Sequence, residues 1–585
     1  MLIAPLVAAI LAVPALASRS PFGRVHPLRA YEPEGIARRE AFERAALQAR
    51  APTNDTNTNT TVSYRYKTPK TEPYLVTALP DVTFNFGELY SGSVAVDANN
   101  QTEGSLFFFF APKAGDPVNE VTIWLNGGPG CSSLEGFIQE NGPIIWEPGT
   151  IAPVANPYSW NNLTNMLWVD QPIGTGFSAG TPYATSQEEI AAAFAKFFKN
   201  WQDIFGIQNY KIYVTGESYA GRYVPYISAE FINQNNTANF DLAGALVYDP
   251  VIGDMSQVQT QFPTLGHVEA NLNIWGFNDT FMNQLAAIHK ECGYQDYLNK
   301  YLVFPASGVQ PPPGNVTDRC DINDLVFEEE FSINTCFNPY FISQACPVPY
   351  DILGMPGTFQ YSPPGNPPYF TRPDVVAAIH APTSFQWKEC AAGNVFVKGV
   401  DKSALSIEKV LPQVIEKTNR VLISNGDFDF VVMTNGTLLE IQNMTWNGHL
   451  GFQSPPYEPW ILDTVDVRYD DVFLASGLDG IKGPRGQQGY YHEERGLMWV
   501  QTFQAGHMQP EYQPRAAYRH LEWVLGRVQS ISDASAPASS STNSSSGTPS
   551  SAPSSQRDSG SAEREPAVVA ALLVCLVVSF HSMLA

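Results

Sequence analysis

The chain has 585 residues, with 57 acidic against 34 basic side chains and a formal net charge of −23. That balance excludes a nucleic-acid partner, because neutralising phosphates takes a basic surface. It suits a protein kept soluble in a mildly acidic medium.

Residues 1–17 are almost wholly apolar and finish on Ala15-Leu16-Ala17, the small-residue pattern of a secretory signal peptide. Residues 18–59 follow as an N-terminal arm or propeptide, ending in Asn-Thr repeats that carry little to bury. Sequons lie at Asn54, Asn59, Asn100, Asn162, Asn235, Asn278, Asn315, Asn435, Asn443 and Asn543. Behind a leader, that many acceptor sites mark a secreted glycoprotein.

From 60 to 530 no repeat is visible, and short apolar runs read as buried strands of one large unit. They are Val121–Leu125, Met166–Val169, Lys211–Val214, Ala243–Val247, Val421–Ile423 and Leu497–Phe503, most of them leading into Gly, Asp or Asn. Gln187–Phe205 carries apolar residues at helical spacing, so helical crossovers join the strands. The expectation is an α/β fold with a mostly parallel central sheet flanked by helices.

The interval from about 255 to 375 breaks this rhythm with the Pro311-Pro312-Pro313 run and four cysteines, and reads as a disulfide-stapled insertion capping the site. The body holds Cys131, Cys292, Cys320, Cys336, Cys346 and Cys390; a further cysteine, Cys575, lies in the tail. In an oxidising compartment six predict three bridges, and no C-x-x-C pair suggests zinc. No metal and no cofactor are expected.

Residues 531–562 are Ser/Pro-rich and read as a flexible stalk. Residues 563–585 run from Glu563-Arg564-Glu565 into an apolar tail without a basic flank. Following Ser559-Gly560-Ser561, this is the pattern of a glycosylphosphatidylinositol (GPI) signal, with Ser559 as attachment residue, the tail removed and the membrane as partner. A retained tail helix is the alternative.

Gly216-Glu217-Ser218-Tyr219-Ala220-Gly221 follows a strand and precedes the helix-compatible segment Tyr223–Ile232, the setting of a nucleophile elbow. A serine hydroxyl needs a base to take its proton, and the base needs a carboxylate to fix its tautomer. In a hydrolase of this type the chain order is Ser, acid, His. Asp427 and Asp429 compete for the acid; Asp429 opens a D-x-x-V-like loop, whereas Asp427 can equally cap the turn. His507, in Ala505-Gly506-His507-Met508, alone combines a strand end with the right order. The glycines of Trp124-Leu125-Asn126-Gly127-Gly128-Pro129-Gly130-Cys131 can bring a backbone N–H to an oxyanion beside that of Tyr219, without spacing alone saying which glycine.

These segments, together with Val169-Asp170-Gln171-Pro172-Ile173-Gly174, occur in the order of the serine carboxypeptidase family of carboxypeptidase Y and cathepsin A, which the chain closely resembles over about 60 to 530. With its leader and tail it looks like a fungal GPI-anchored cell-surface member. The resemblance implies an α/β-hydrolase fold and hydrolysis of the C-terminal bond of peptides and proteins. It implies a Ser218, Asp429, His507 triad and an oxyanion hole of the Gly128 and Tyr219 N–H groups. It places Asn126, Glu140 and Glu217, with Trp124 nearby, at the substrate's terminal carboxylate, and pairs Cys131 with Cys390. Two glutamates can receive a carboxylate if they share a proton, so binding is expected to weaken toward neutral pH. Where some relatives carry a cysteine three positions after the acid, this chain has Val432. An esterase or acyltransferase on the same scaffold, and a catalytically dead binding protein, are the competing readings.

Overall fold

The computed structural model describes residues 64–98, 103–314, 316–354, 367–384, 386–391, 395–462, 466, 468 and 486–532. The leader, most of the arm, the stalk and tail, Cys575, the sequons at Asn54, Asn59, Asn100, Asn315 and Asn543, and Ser559 lie outside them. Of the remaining sequons, Asn235, Asn278 and Asn435 are exposed, and Asn162 and Asn443 are partly so. Among the described residues no helix is long and apolar enough to cross a membrane.

Ten strands make one sheet: β1 (Tyr90–Ala95), β2 (Ser105–Ala111), β3 (Glu120–Leu125), β4 (Asn165–Asp170), β5 (Lys211–Glu217), β6 (Asp241–Tyr248), β7 (Val421–Gly426), β8 (Glu458–Leu462), β9 (Gly486–Glu494) and β10 (Leu497–Thr502). Their spatial order is β1-β2-β4-β3-β5-β6-β7-β10-β9-β8. The six from β4 to β10 in that order pair in parallel; β1 and β2 at one edge and β9 and β8 at the other are antiparallel. The expected mostly parallel sheet therefore forms the centre.

Both faces are covered, so the strands are apolar throughout rather than alternating. In β2, Phe108 and Phe110 enter one core and Phe107 and Phe109 the other. On the first face α1 (Gln187–Phe205) brings Trp201, whose ring lies 5.0 Å from Phe110, and it stops at Gly206 in the left-handed conformation. α2 (Ala220–Asn233) packs beside it, and α8 (Pro514–Val524) covers the other face.

The insertion leaves the sheet after β6 and returns before β7. It contains α3 (Thr264–Ala270), α4 (Asp279–Glu291), α5 (Tyr294–Tyr301) and α6 (Ile322–Ile333), while α7 (Val410–Thr418) leads into β7. Trp275, Phe281, Tyr294, Val326 and Phe337 give it a core of its own, continued by Phe430 and Met433 after β7. Cys292–Cys320 and Cys336–Cys346 staple it, and Cys131–Cys390 joins segments 259 residues apart.

Candidate active site

The site collects at the C-terminal ends of β3, β5, β7 and β10. β5 ends at Glu217 and α2 starts at Ala220, so the chain must reverse within two residues. Ser218 accordingly takes φ 61°, left-handed for a residue with a side chain, and its strain is held by three backbone bonds. Its N–H donates to Tyr248 O at 2.9 Å, and its carbonyl accepts from Gly221 N at 2.9 Å and Val251 N at 3.0 Å. A Cβ at Gly216 would stand 2.2 Å from Leu125 O, which is why the turn begins with glycine.

The acid loop follows β7. Asp429 is fully buried. Its Oδ1 accepts from Val431 N at 2.8 Å, and its Oδ2 from Val432 N at 3.1 Å and His507 Nδ1 at 2.7 Å. With Nδ1 so engaged, the other ring nitrogen is the one free to act: Nε2 has no hydrogen-bond partner among the described residues. Asp427 makes no such contact with the imidazole; burial pushes its carboxyl up to about 7, and its Oδ1 has no partner among the described residues.

The loop after β3 lies on the nucleophile turn, where a Cβ at Gly127 would be 2.5 Å from Tyr219 N and 2.7 Å from Ser218 Cβ. Gly128 beside it has φ 108°, a conformation glycine adopts freely. Neither Gly128 N nor Tyr219 N enters the backbone bonds that fold these loops, and the Cys131–Cys390 bridge ties the loop down.

Trp124 Nε1 donates to Asn126 Oδ1 at 2.8 Å, which orients the amide so that its Nδ2 faces three carboxyl groups. Nδ2 reaches Glu217 Oε1 at 2.8 Å and Glu140 Oε1 and Glu135 Oε2 at 3.3 Å each. Glu140 and Glu217 are buried, and Oε2 of each has no hydrogen-bond partner among the described residues. Burial first, then for Glu217 the neighbouring Glu140 charge, pushes their carboxyls up. The pair therefore holds a proton at acid pH and can donate it in a hydrogen bond.

Sequence reasoning missed two supports. The insertion supplies Tyr340, whose carbonyl accepts His507 N–H at 2.8 Å and whose ring packs on the imidazole at 5.1 Å. Asp249, at the end of β6 with φ 41°, accepts from Gly426 N at 2.8 Å and Gln509 Nε2 at 2.7 Å, joining the acid loop to the base loop. A backbone carbonyl leaves no sequence signal; an aspartate two residues beyond the predicted strand Ala243–Val247 was the available one for Asp249.

The serine carboxypeptidase family model matches residues 80–527. The chain belongs to the serine carboxypeptidase family. It is 58% identical over 473 residues to serine-type carboxypeptidase F of Aspergillus niger, covering 79% of this chain and 88% of that one. It is 42% identical over 476 residues to a probable serine carboxypeptidase of Arthroderma benhamiae, with the same coverages. The crystal structure of Kex1, a prohormone-processing carboxypeptidase from Saccharomyces cerevisiae, superposes with a TM-score of 0.60 at 22% identity, over 79% of this chain and 97% of that one. The fold is thus that of the α/β hydrolases, and this serine carboxypeptidase is a peptide hydrolase.

Proposed function

We propose that the protein is an extracellular serine carboxypeptidase that removes C-terminal residues at acid pH through an acyl-enzyme formed on Ser218. The observation that carries this reading is the 2.7 Å bond from His507 Nδ1 to Asp429 Oδ2, which leaves Nε2 unpartnered. As Ser218 Oγ attacks the last peptide carbonyl, Nε2 takes the hydroxyl proton, and Asp429 stabilises the imidazolium. The oxyanion is met by the Gly128 and Tyr219 N–H groups. His507 then gives the proton to the leaving nitrogen, and a free amino acid departs. Water loses a proton to the same nitrogen as it attacks the acyl ester, and the returned proton regenerates Ser218.

Exopeptidase action rests on Asn126, Glu140 and Glu217, which receive the terminal carboxylate while the glutamate pair keeps its proton, with Trp124 orienting Asn126. The leader, the sequons and the tail beyond Ser559 support export and a GPI-anchored position on the outer face of the plasma membrane. Incubating a decapeptide at acid pH and following its mass should give stepwise loss from the C-terminus, stopped by a serine-directed phosphonate that labels Ser218. Internal cleavage, or label on another residue, contradicts the reading. Release of the cell-bound protein by phosphatidylinositol-specific phospholipase C tests the anchor; protein that stays bound refutes it.

A further inference from the structure

Asp249 is a buried titratable group that the acyl-transfer mechanism does not use. It is fully shielded from solvent, and its backbone is pinned at φ 41°, with its N–H donating to Ser424 O at 2.7 Å. Its Oδ1 accepts from Gly426 N at 2.8 Å and its Oδ2 from Gln509 Nε2 at 2.7 Å. Ser424 Oγ donates to Gln509 Oε1 at 2.8 Å, so it is the amide N–H of Gln509 that faces the aspartate.

A third contact decides the ionisation of this carboxyl: it is also hydrogen-bonded to the side chain of Asp429. An ionised carboxylate only accepts, so two anions cannot make that bond and one proton lies between them. Asp429 already receives Val431 N, Val432 N and His507 Nδ1, three donors that favour its anion. Asp249 receives only two, and no ion pair reaches it among the described residues. The proton therefore belongs to Asp249. The other groups facing it give no cause to release it: Glu217 approaches from the end of β5 and the Tyr248 phenol from β6, and neither is a cation. Burial first, then the Asp429 charge, pushes the Asp249 carboxyl well up.

The next step rests on the triad reading. We propose that Asp249 is a positioning residue that stays protonated and donates a hydrogen bond to Asp429, fixing the carboxylate that in turn fixes His507. The proton is not passed on during turnover. Its loss puts a second negative charge beside Asp429 and replaces the bond by repulsion, so kcat declines as pH rises. That effect is separate from the one expected of Glu140 and Glu217, which act on binding of the terminal carboxylate.

The test follows kcat and KM from acid to alkaline pH for an N-blocked amino-acid ester, which brings no terminal carboxylate. Asp249→Leu cannot donate, and should lower kcat about ten- to a hundredfold, the worth of a hydrogen bond to a charged group, with KM little changed. Asp249→Asn donates at every pH, with the Gln509 amide turned to accept from it. It should recover most of that loss and abolish the alkaline decline of the wild type. Because the leucine variant can fail to fold, the infrared difference between wild type and Asp249→Asn at acid pH gives a second readout. It should show the carbonyl stretch of a protonated carboxylic acid in the wild type. A carboxylate stretch there, or an asparagine variant whose kcat declines with pH as the wild type's does, overturns the proposal. A wild type inactive on ester and peptide alike refutes the triad reading and the positioning role with it, while the infrared band still decides whether Asp249 holds the proton.

Discussion

Replacing Glu140 and Glu217 together by glutamine should make KM independent of pH while keeping the shape of the proposed terminal-carboxylate subsite. In the wild type Asn126 Nδ2 holds the pair at 3.3 and 2.8 Å, and burial raises both carboxyls, so at acid pH a shared proton is available for donation. As pH rises that proton leaves, and the substrate carboxylate loses a hydrogen bond to a charged group worth about 1.5–3 kcal/mol. At about 1.4 kcal/mol per decade, KM should rise about ten- to a hundredfold as pH climbs from the acid range through about 8, with kcat much less affected. Glutamine amides donate at every pH, so the double variant should give a flat profile. The assay is KM for an N-blocked dipeptide across that range, with the C-terminal amide as a control that brings no carboxylate. A flat wild-type profile, or a double variant as pH-dependent as the wild type, would refute the shared-proton argument.

Asp429→Asn should lower kcat by about four decades, because an amide facing Nδ1 stabilises the wrong imidazole tautomer. Burst kinetics with an active ester would show acylation slowed; an unchanged rate would remove Asp429 from the mechanism. Stability should peak at mildly acid pH. Burial raises Asp170 and Asp427 to about 7 and Glu440 to about 8, so the stability they contribute is present at low pH and lost as pH rises from their ordinary values of 3.8 and 4.5 through about 8. Burial lowers His267 to about 4 and His520 to about 3, so their contribution is present above 6.5 and lost as pH falls. Scanning calorimetry should find Tm declining on both sides; a Tm that climbs through neutral pH contradicts this balance.

The central strands were legible because each is buried on both faces, which turns it into an apolar run ending at a glycine or acid that opens a functional loop. Ser218, Asp429 and His507 could be picked out as candidates for the same reason, since all three follow such runs. β9, with the sequence Gly486-Gln487-Gln488-Gly489-Tyr490-Tyr491, is half exposed near the sheet edge and carries no such signal. β2 escaped because four consecutive phenylalanines divide between two cores and show no period. The cavity of about 360 Å³ lined in part by Glu135, Asp351 and Glu511 was not legible at all: the three are scattered over nearly 400 residues, each unremarkable alone. Only the return of the insertion to β7 and the packing of the segment after His507 bring them together.

The measurement that bears most directly on the central claim is release of free amino acid from an N-blocked dipeptide at acid pH, compared with its C-terminal amide and with Ser218→Ala. The account predicts rapid release from the free acid, weaker release from the amide and none with the variant. Equal release from acid and amide, or activity persisting in Ser218→Ala, would contradict it.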